Sequence, residues 1–247
     1  MNFYSVIIGT ELLNGRRKDA HFSFLNNELL KRGWEQKGSF VIKDEPPFME
    51  DIFRLIKSDP QSVMFCFGGI GATPDDYTRQ SSANVFTDGK MEVNQGAKKA
   101  ILDKFGDDAY PHRINMASLP LDASLLKNVV SNVPGFYLEN RFFFTPGFPS
   151  MSQSMIIEAL DKLYPQNNKT KYRYTLSANV SENELVNSMN SIPAHIDMSS
   201  LPQMDGDKRT TVISIASYDK DEAIEYFDIF VKFLNENNIE YILKDSL

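Results

Sequence analysis

The sequence predicts an α/β domain with a mostly parallel sheet, followed by a small α+β domain. Three observations predict it. The first 90 residues alternate β-α-β-α-β-α, the pattern of parallel strands joined by crossover helices. A polar, turn-rich stretch, PQNNKTK at 165–171, then interrupts the periodicity and reads as a domain boundary. Beyond it the order becomes β-α-β-β-α-β, which fits a split-βαβ sandwich of one sheet and two helices. The domains are accordingly drawn at 1–166 and 170–247.

Each element has its own signal. FYSVIIG (3–9) is a short apolar run, as in a strand buried on both faces. AHFSFLNNELLKRG follows a polar loop, with Phe22, Leu25 and Leu29 at helical spacing, Asp19 as cap and Gly33 as terminator. WEQKGSFVIKD (34–44) reads as a second strand, 47–57 as a helix with Pro47 in its first turn, and SVMFCF (62–67) as a third strand. After a glycine-rich turn, a helix is expected from near Pro74 toward Phe86, and another over 92–105. Short strands are expected within 125–145, and 149–163 is an amphipathic helix. In the second domain KYRYTLSANV is a strand and SENELVNSMN a helix opened by a capping box, Ser181 with Glu184. A strand is expected around His195–Leu201, another at 208–218, a strong helix over 219–237, and IEYIL as the closing strand.

Composition excludes several functions. The 247 residues carry a formal charge of −7, which argues against a general binder of nucleic acid or anionic membranes. Cys66 is the only cysteine, so no intrachain disulfide forms. With three histidines and one cysteine there is no Cys/His zinc cluster. No run approaches a membrane span, and the amino-terminal stretch is too short and lightly charged for a signal peptide, so a cytoplasmic protein is expected.

The chemistry concentrates in three loops that leave the carboxyl ends of expected strands, where ligands of open parallel sheets bind. They are GTELLNGRRKD (9–19), GGIGATPDD (68–76) and TPGFP (145–149). In the middle loop Gly68, Gly69 and Gly71 allow close backbone approach, and a helix start offers N–H groups to an anion. It is neither a Walker loop nor a Rossmann fingerprint. Asp75 and Asp76 set it apart, because two carboxylates repel a phosphate unless a divalent cation lies between them. The alternative is that one caps the helix and the other favours its dipole. In the first loop Arg16, Arg17 and Lys18 either hold phosphate or are simply solvated. Glu11 is a metal ligand or base on one reading and a cap or salt-bridge partner on the other. The third loop closes a pocket wall, with Phe148 over a ring, or is a rigid turn. Arg113 is a weaker phosphate candidate, and Phe142, Phe143 and Phe144 read as core.

Together IIGTELLNGRRKDAHF, FGGIGATPDDYTRQ and TPGFPSM resemble the molybdopterin-binding domain superfamily, in particular the amino-terminal part of the competence/damage-inducible protein A (CinA) family. The order and spacing agree over 5–163, and SENELVNSMNSIP followed by SSLPQ resembles that family's small KH-like domain. The resemblance implies a three-layer α/β/α domain and a homodimer. It implies a small-molecule partner, a pterin or nucleotide bearing phosphate or pyrophosphate, and no nucleic acid or membrane. Some relatives hydrolyse ADP-ribose or FAD with a divalent metal such as Mg, Mn or Co, and others hold molybdopterin without turnover. By position it implies Gly69, Gly71, Thr73, Asp75 and Asp76 as the phosphate and metal loop, completed by Thr10 and Glu11, with Pro146 and Gly147 opposite. Ala72 replaces the usual proline, Asp19 and His21 replace asparagines, and Asn115 stands where a lysine is common. The family's amidase domain is not expected in this chain.

Overall fold

Successive residues of the central strands face opposite sides of one sheet, and both sides are apolar. In the computed structural model, which describes residues 1–205 and 208–244, this alternation produces three layers. The chain divides into two units, Met1–Asn167 and Asn168–Leu247.

The first unit begins with β1 (Asn2–Ile8), a single turn α1 (Thr10–Leu13), α2 (His21–Lys31), β2 (Gln36–Ile42), α3 (Pro46–Lys57) and β3 (Ser62–Phe67). Then come α4 (Thr78–Phe86), β4 (Met91–Val93), α5 (Gln95–Phe105) and two 3₁₀ turns, Gly106–Ala109 and Arg113–Ala117. It closes with β5 (Ser118–Pro120), β6 (Ser124–Leu126), β7 (Gly135–Leu138), β8 (Phe142–Thr145) and α6 (Pro149–Leu163). The main sheet runs β2-β1-β3-β8-β7-β6. Strands β2, β1, β3 and β8 are mutually parallel, β7 pairs antiparallel with β8, and β6 pairs antiparallel with β7.

On one face Val6, Ile8, Met64, Cys66, Phe142 and Phe144 pack with Met49 and Phe53 of α3 and Ile101 of α5. On the other Phe3, Ile7, Val63, Phe65, Phe67 and Phe143 pack with Leu25 and Leu29 of α2 and Met155 and Leu160 of α6. Burial on both faces is why these strands read as continuous apolar runs. The three adjacent phenylalanines of β8 divide between the cores. Phe143 stacks on Phe65 at 4.9 Å and Phe144 on Phe136 at 4.7 Å, each burial contributing about 2–3 kcal/mol.

Two boundaries differ from expectation. The Asn94 side chain accepts the Ala97 N–H at 3.1 Å and starts α5 there, which frees Met91–Val93 to pair with β5. Helix α4 starts at Thr78, not near Pro74, for a reason that lies in the glycine loop.

The second unit is β9 (Tyr172–Ala178), α7 (Glu182–Asn190), β10 (Asp197–Asp205), β11 (Lys208–Ser217), α8 (Lys220–Glu236) and β12 (Tyr241–Lys244). Its sheet runs β10-β11-β9-β12, antiparallel throughout, the arrangement of a split-βαβ sandwich. The capping box forms, with Ser181 N–H reaching Glu184 at 3.1 Å. Leu185 of α7 and Phe230 and Leu234 of α8 cover Leu176, Ile213 and Ile215.

At the amino-terminal ends of the parallel strands, Asp59 ties the sheet together. Its carboxylate accepts Asn2 Nδ2 at 2.7 Å, Tyr4 OH at 2.9 Å, the Gln61 N–H at 3.0 Å and Lys37 Nζ at 3.2 Å. Arg141 joins β8 to the same corner, donating to the Asp59 carbonyl at 3.1 Å and the Ser62 carbonyl at 2.9 Å. The Asn2 amide, then the Gln61 N–H, Tyr4 and Lys37, hold the Asp59 carboxyl well below the usual carboxylate range. A depressed folded pKa stabilises above the unfolded pKa and is lost as pH falls through the folded one. Asp59→Asn is therefore expected to melt below wild type at pH 7, with the gap narrowing below about pH 4. Thermal denaturation of both proteins across pH checks this, and a gap that does not change with pH removes the carboxylate charge as its cause.

Candidate functional site

Strands β1, β3 and β8 lie side by side in the sheet, so the loops leaving their carboxyl ends must pass one another closely. Glycine makes that possible. Gly68 has φ +106°, and a Cβ there would lie 2.5 Å from the Ile8 carbonyl oxygen. Gly69 has φ +68°, and its Cβ would lie 2.3 Å from Thr78 Oγ1. A Cβ on Gly147 would lie 3.3 Å from the Gly68 Cα. The second loop thus touches both the end of β1 and the third loop by backbone alone.

The first loop reaches the third through side chains. Arg17 Nη2 donates to the Gly147 carbonyl at 2.9 Å, and its guanidinium lies 5.7 Å from the ring centre of the exposed Phe148. Buried His21 stacks on Phe67 at 4.5 Å. Its Nε2 is 3.3 Å from the Gly147 carbonyl and its Nδ1 3.5 Å from Ser152 Oγ. Burial lowers the His21 pKa, against the pull of the Gly147 carbonyl. Asp19 caps α2, accepting the N–H groups of His21 at 2.9 Å and Phe22 at 3.0 Å.

The glycine loop is organised by its own charges. Asp76 Oδ1 accepts the Gly71 N–H at 2.8 Å, and Oδ2 accepts the Thr73 N–H at 2.8 Å and the Thr73 hydroxyl at 2.6 Å. Residues 73–77 consequently form turns, with Asp76 N–H on the Thr73 carbonyl and Tyr77 N–H on the Asp75 carbonyl. This is why the helix starts late, and why neither aspartate caps it. The Thr78 hydroxyl donates to the Gly68 carbonyl at 2.9 Å. Arg79, in the first turn of α4, turns back and donates to the carbonyls of Ile70 and Gly71. Burial lowers its pKa, offset by the nearby Asp76. Asp75 is exposed, and Thr73 together with the Asp75 N–H keeps its carboxyl below the usual value. Among the described residues, the N–H groups of Gly69, Ile70 and Gly147 have no protein acceptor.

The expected site residues therefore divide into two groups. Gly68, Gly69, Gly71, Thr73, Asp75 and Asp76 share one loop, which Pro146 and Gly147 meet through the Gly147–Gly68 contact. Glu11 joins this cluster through Arg17, 3.5 Å away. Thr10 turns aside, its N–H and hydroxyl both donating to Asp44 Oδ2 at 2.9 and 3.0 Å. Arg16 donates to Asn14 at 3.1 Å within its own loop and is exposed. The turn N–H groups of Gly71 and Thr73, expected to face phosphate, instead face Asp76. Among the described residues no group of three or more His, Cys, Asp or Glu could hold a metal, so Glu11 does not join the two aspartates as a third ligand. Sequence reasoning missed Asp44 and Arg79. With the helix expected from near Pro74, Arg79 falls beyond its first turn, and nothing in the sequence marks it; only the later start at Thr78 places its charge against the helix dipole.

Comparison with known proteins places this geometry in context. Residues 5–165 match the family described as probable molybdopterin binding domain. A CinA-like protein of Fusobacterium nucleatum is 30% identical over 166 residues, 66% of this chain and 40% of its own length. A protein of Caldivirga maquilingensis is 31% identical over 171 residues, 66% of this chain and 65% of its own. The chain thus spans between 40% and 65% of these curated relatives. Among solved structures, the protein CinA with unknown function from Thermoplasma acidophilum superposes with a TM-score of 0.59 at 25% identity, over 66% of this chain and 98% of that one. Among the described residues no helix is long and apolar enough to cross a membrane.

Two outcomes follow from the loop contacts. Gly68→Ala meets both an unfavourable φ and the Ile8 carbonyl, and is expected to cost about 2–3 kcal/mol in urea unfolding. An unchanged midpoint removes the backbone contact as a constraint. For His21 the folded pKa is lowered, so below about pH 6.5 the unfolded chain takes up a proton that the folded chain resists. Stability is expected to fall on acidification through that window, and less steeply in His21→Gln. Equal slopes in the two proteins leave burial of neutral His21 without a role.

Proposed function

We propose that this chain, which belongs to the probable molybdopterin binding domain family, holds a phosphate- or pyrophosphate-bearing pterin or nucleotide where its three loops meet. One observation carries the reading. Among the described residues the N–H groups of Gly69, Ile70 and Gly147 lack protein acceptors, although Ile70 is 8% exposed and buried N–H groups are almost always paired. Converging backbone N–H groups make an anion-binding concavity. Arg17 adds positive charge beside it through its contact with Gly147, and exposed Phe148 offers an apolar surface next to that charge.

A second reading adds cleavage of a dinucleotide pyrophosphate of the ADP-ribose or FAD type. Asp75 favours it, being an exposed carboxylate kept ionised beside the anion site. Asp76 is committed to the loop on both oxygens, so the donors fit a divalent cation only when the ligand's phosphate oxygens complete its shell. Such a cation would be held by Asp75, assisted by Asp76, and would offset phosphate charge. Glu11 is half-buried, and among the described residues its carboxylate has only the 3.5 Å contact with Arg17, which leaves it able to take the proton of an attacking water. The water oxygen bonds to phosphorus, and the bridging P–O bond breaks with its electron pair leaving on the departing phosphate.

Calorimetric titration with AMP, ADP-ribose, FAD and molybdopterin, with and without Mg²⁺, tests both. Micromolar binding of at least one is expected, and no binding of any defeats the site. AMP release from ADP-ribose or FAD with Mg²⁺, Mn²⁺ or Co²⁺ is expected on the second reading and should be abolished in Asp75→Asn with the unfolding midpoint unchanged. Binding without release under every metal leaves a binding module.

A further inference from the structure

A cleft of about 440 Å³ opens beside the glycine loop, within the usual range for small-molecule sites. Ala72, Thr73 and Pro74 form one wall, and Asp108, Tyr110, His112 and Arg113 the other. Thr73 belongs to both features, since its N–H and hydroxyl organise the glycine loop through Asp76. The cleft therefore adjoins the glycine loop at Thr73.

The charges of the cleft limit what can fill it. Arg113 is a weaker phosphate candidate by sequence, yet its Nη1 donates to the Asp108 carbonyl at 2.8 Å and its guanidinium lies 4.7 Å from the Phe105 ring centre. Arg113 thus fixes the Asp108 backbone while leaving the Asp108 carboxylate alone. That carboxylate has no partner among the described residues. A second phosphate would meet its negative charge. A neutral ring with adjacent N–H donors would meet an acceptor that takes two parallel hydrogen bonds. Tyr110 is 57% exposed on the same wall and offers a face for stacking.

We propose that this cleft is a ring subsite that reads a 2-amino-4-oxopyrimidine edge, the edge shared by pterins and guanine, through Asp108 with Tyr110 as stacking partner. The proposal rests on the reading that the glycine loop holds phosphate. In such a ring the exocyclic amine and the neighbouring ring N–H point the same way, matching the two oxygens of one carboxylate. Adenine presents no such pair, so a site built to accept both hydrogen bonds discriminates against it.

The full chain should be titrated by calorimetry with GMP, AMP, dihydroneopterin monophosphate and ribose 5-phosphate. GMP or the pterin phosphate is expected to bind about tenfold tighter than AMP, and the tighter of the two identifies the ring source. Asp108→Asn, at an exposed position, should bring that ratio close to one and leave ribose 5-phosphate affinity unchanged. Tyr110→Ala should weaken every ring-bearing ligand and spare ribose 5-phosphate. Equal affinity for GMP, the pterin phosphate and AMP, with ribose 5-phosphate bound, overturns the ring subsite and leaves the phosphate loop standing. A preference that survives Asp108→Asn also overturns it. Failure of all four ligands to bind removes the phosphate loop and this subsite together.

Discussion

Everything at the carboxyl end of the sheet depends on one constraint, which is that three chains must turn away from neighbouring parallel strands within a strand spacing of about 4.8 Å. Side chains cannot occupy that crossing. The backbone of Gly68 therefore lies against the Ile8 carbonyl and the Gly147 backbone against Gly68. Once the loops touch by backbone, their polar groups face a shared space instead of a ladder. The Gly147 carbonyl is taken by Arg17 and approached by His21, which fixes the first loop to the third. Among the described residues the N–H groups of Gly69, Ile70 and Gly147 find no protein acceptor.

The same constraint explains why a glycine loop carries two aspartates. A tight turn exposes more N–H groups than its own carbonyls can satisfy, and Asp76 takes three donors within six residues. The carbonyls left on the other side, Ile70 and Gly71, are satisfied by Arg79. Asp76 and Arg79 thus form an internal framework of charged hydrogen bonds that sets the loop's shape. Asp75 is the member with no such duty. The two neighbours that looked equivalent in sequence have separate roles because one points into the turn and the other into solvent.

The layers of the fold were legible because they depend on periodicity. Apolar runs such as SVMFCF and the helix at 149–163 announce buried parallel strands and a crossover helix wherever they sit. The split-βαβ unit was legible for the same reason, with its capping box as a further mark. Local competition was not legible. Pro74 is a good first-turn residue, but the Asp76 carboxylate outbids the helix for the chain around it by closing a turn with Gly71 and Thr73. Partner choice was also hidden. Thr10 stands at the carboxyl end of β1, as a site residue should, yet Asp44, 34 positions along the chain, takes both of its donors. Such pairings depend on how β2 registers against β1, which no pattern within either strand reveals.

The two ends of the sheet make the functional reading more than a resemblance. At the amino-terminal end Asp59 collects four donors and Arg141 spans the turn to β8, so polar groups are spent on stability. At the carboxyl end the chain accepts close glycine contacts, a buried histidine that resists protonation and, among the described residues, N–H groups without protein partners. Each of these costs stability. Backbone donors left open where three loops cross suit a ligand that supplies the missing acceptors. The unpaired groups there are donors, flanked by a guanidinium on one side and on the other by a cleft whose free carboxylate disfavours further negative charge. On the proposed reading, an anionic group fits the loop crossing and a neutral polar ring fits the cleft.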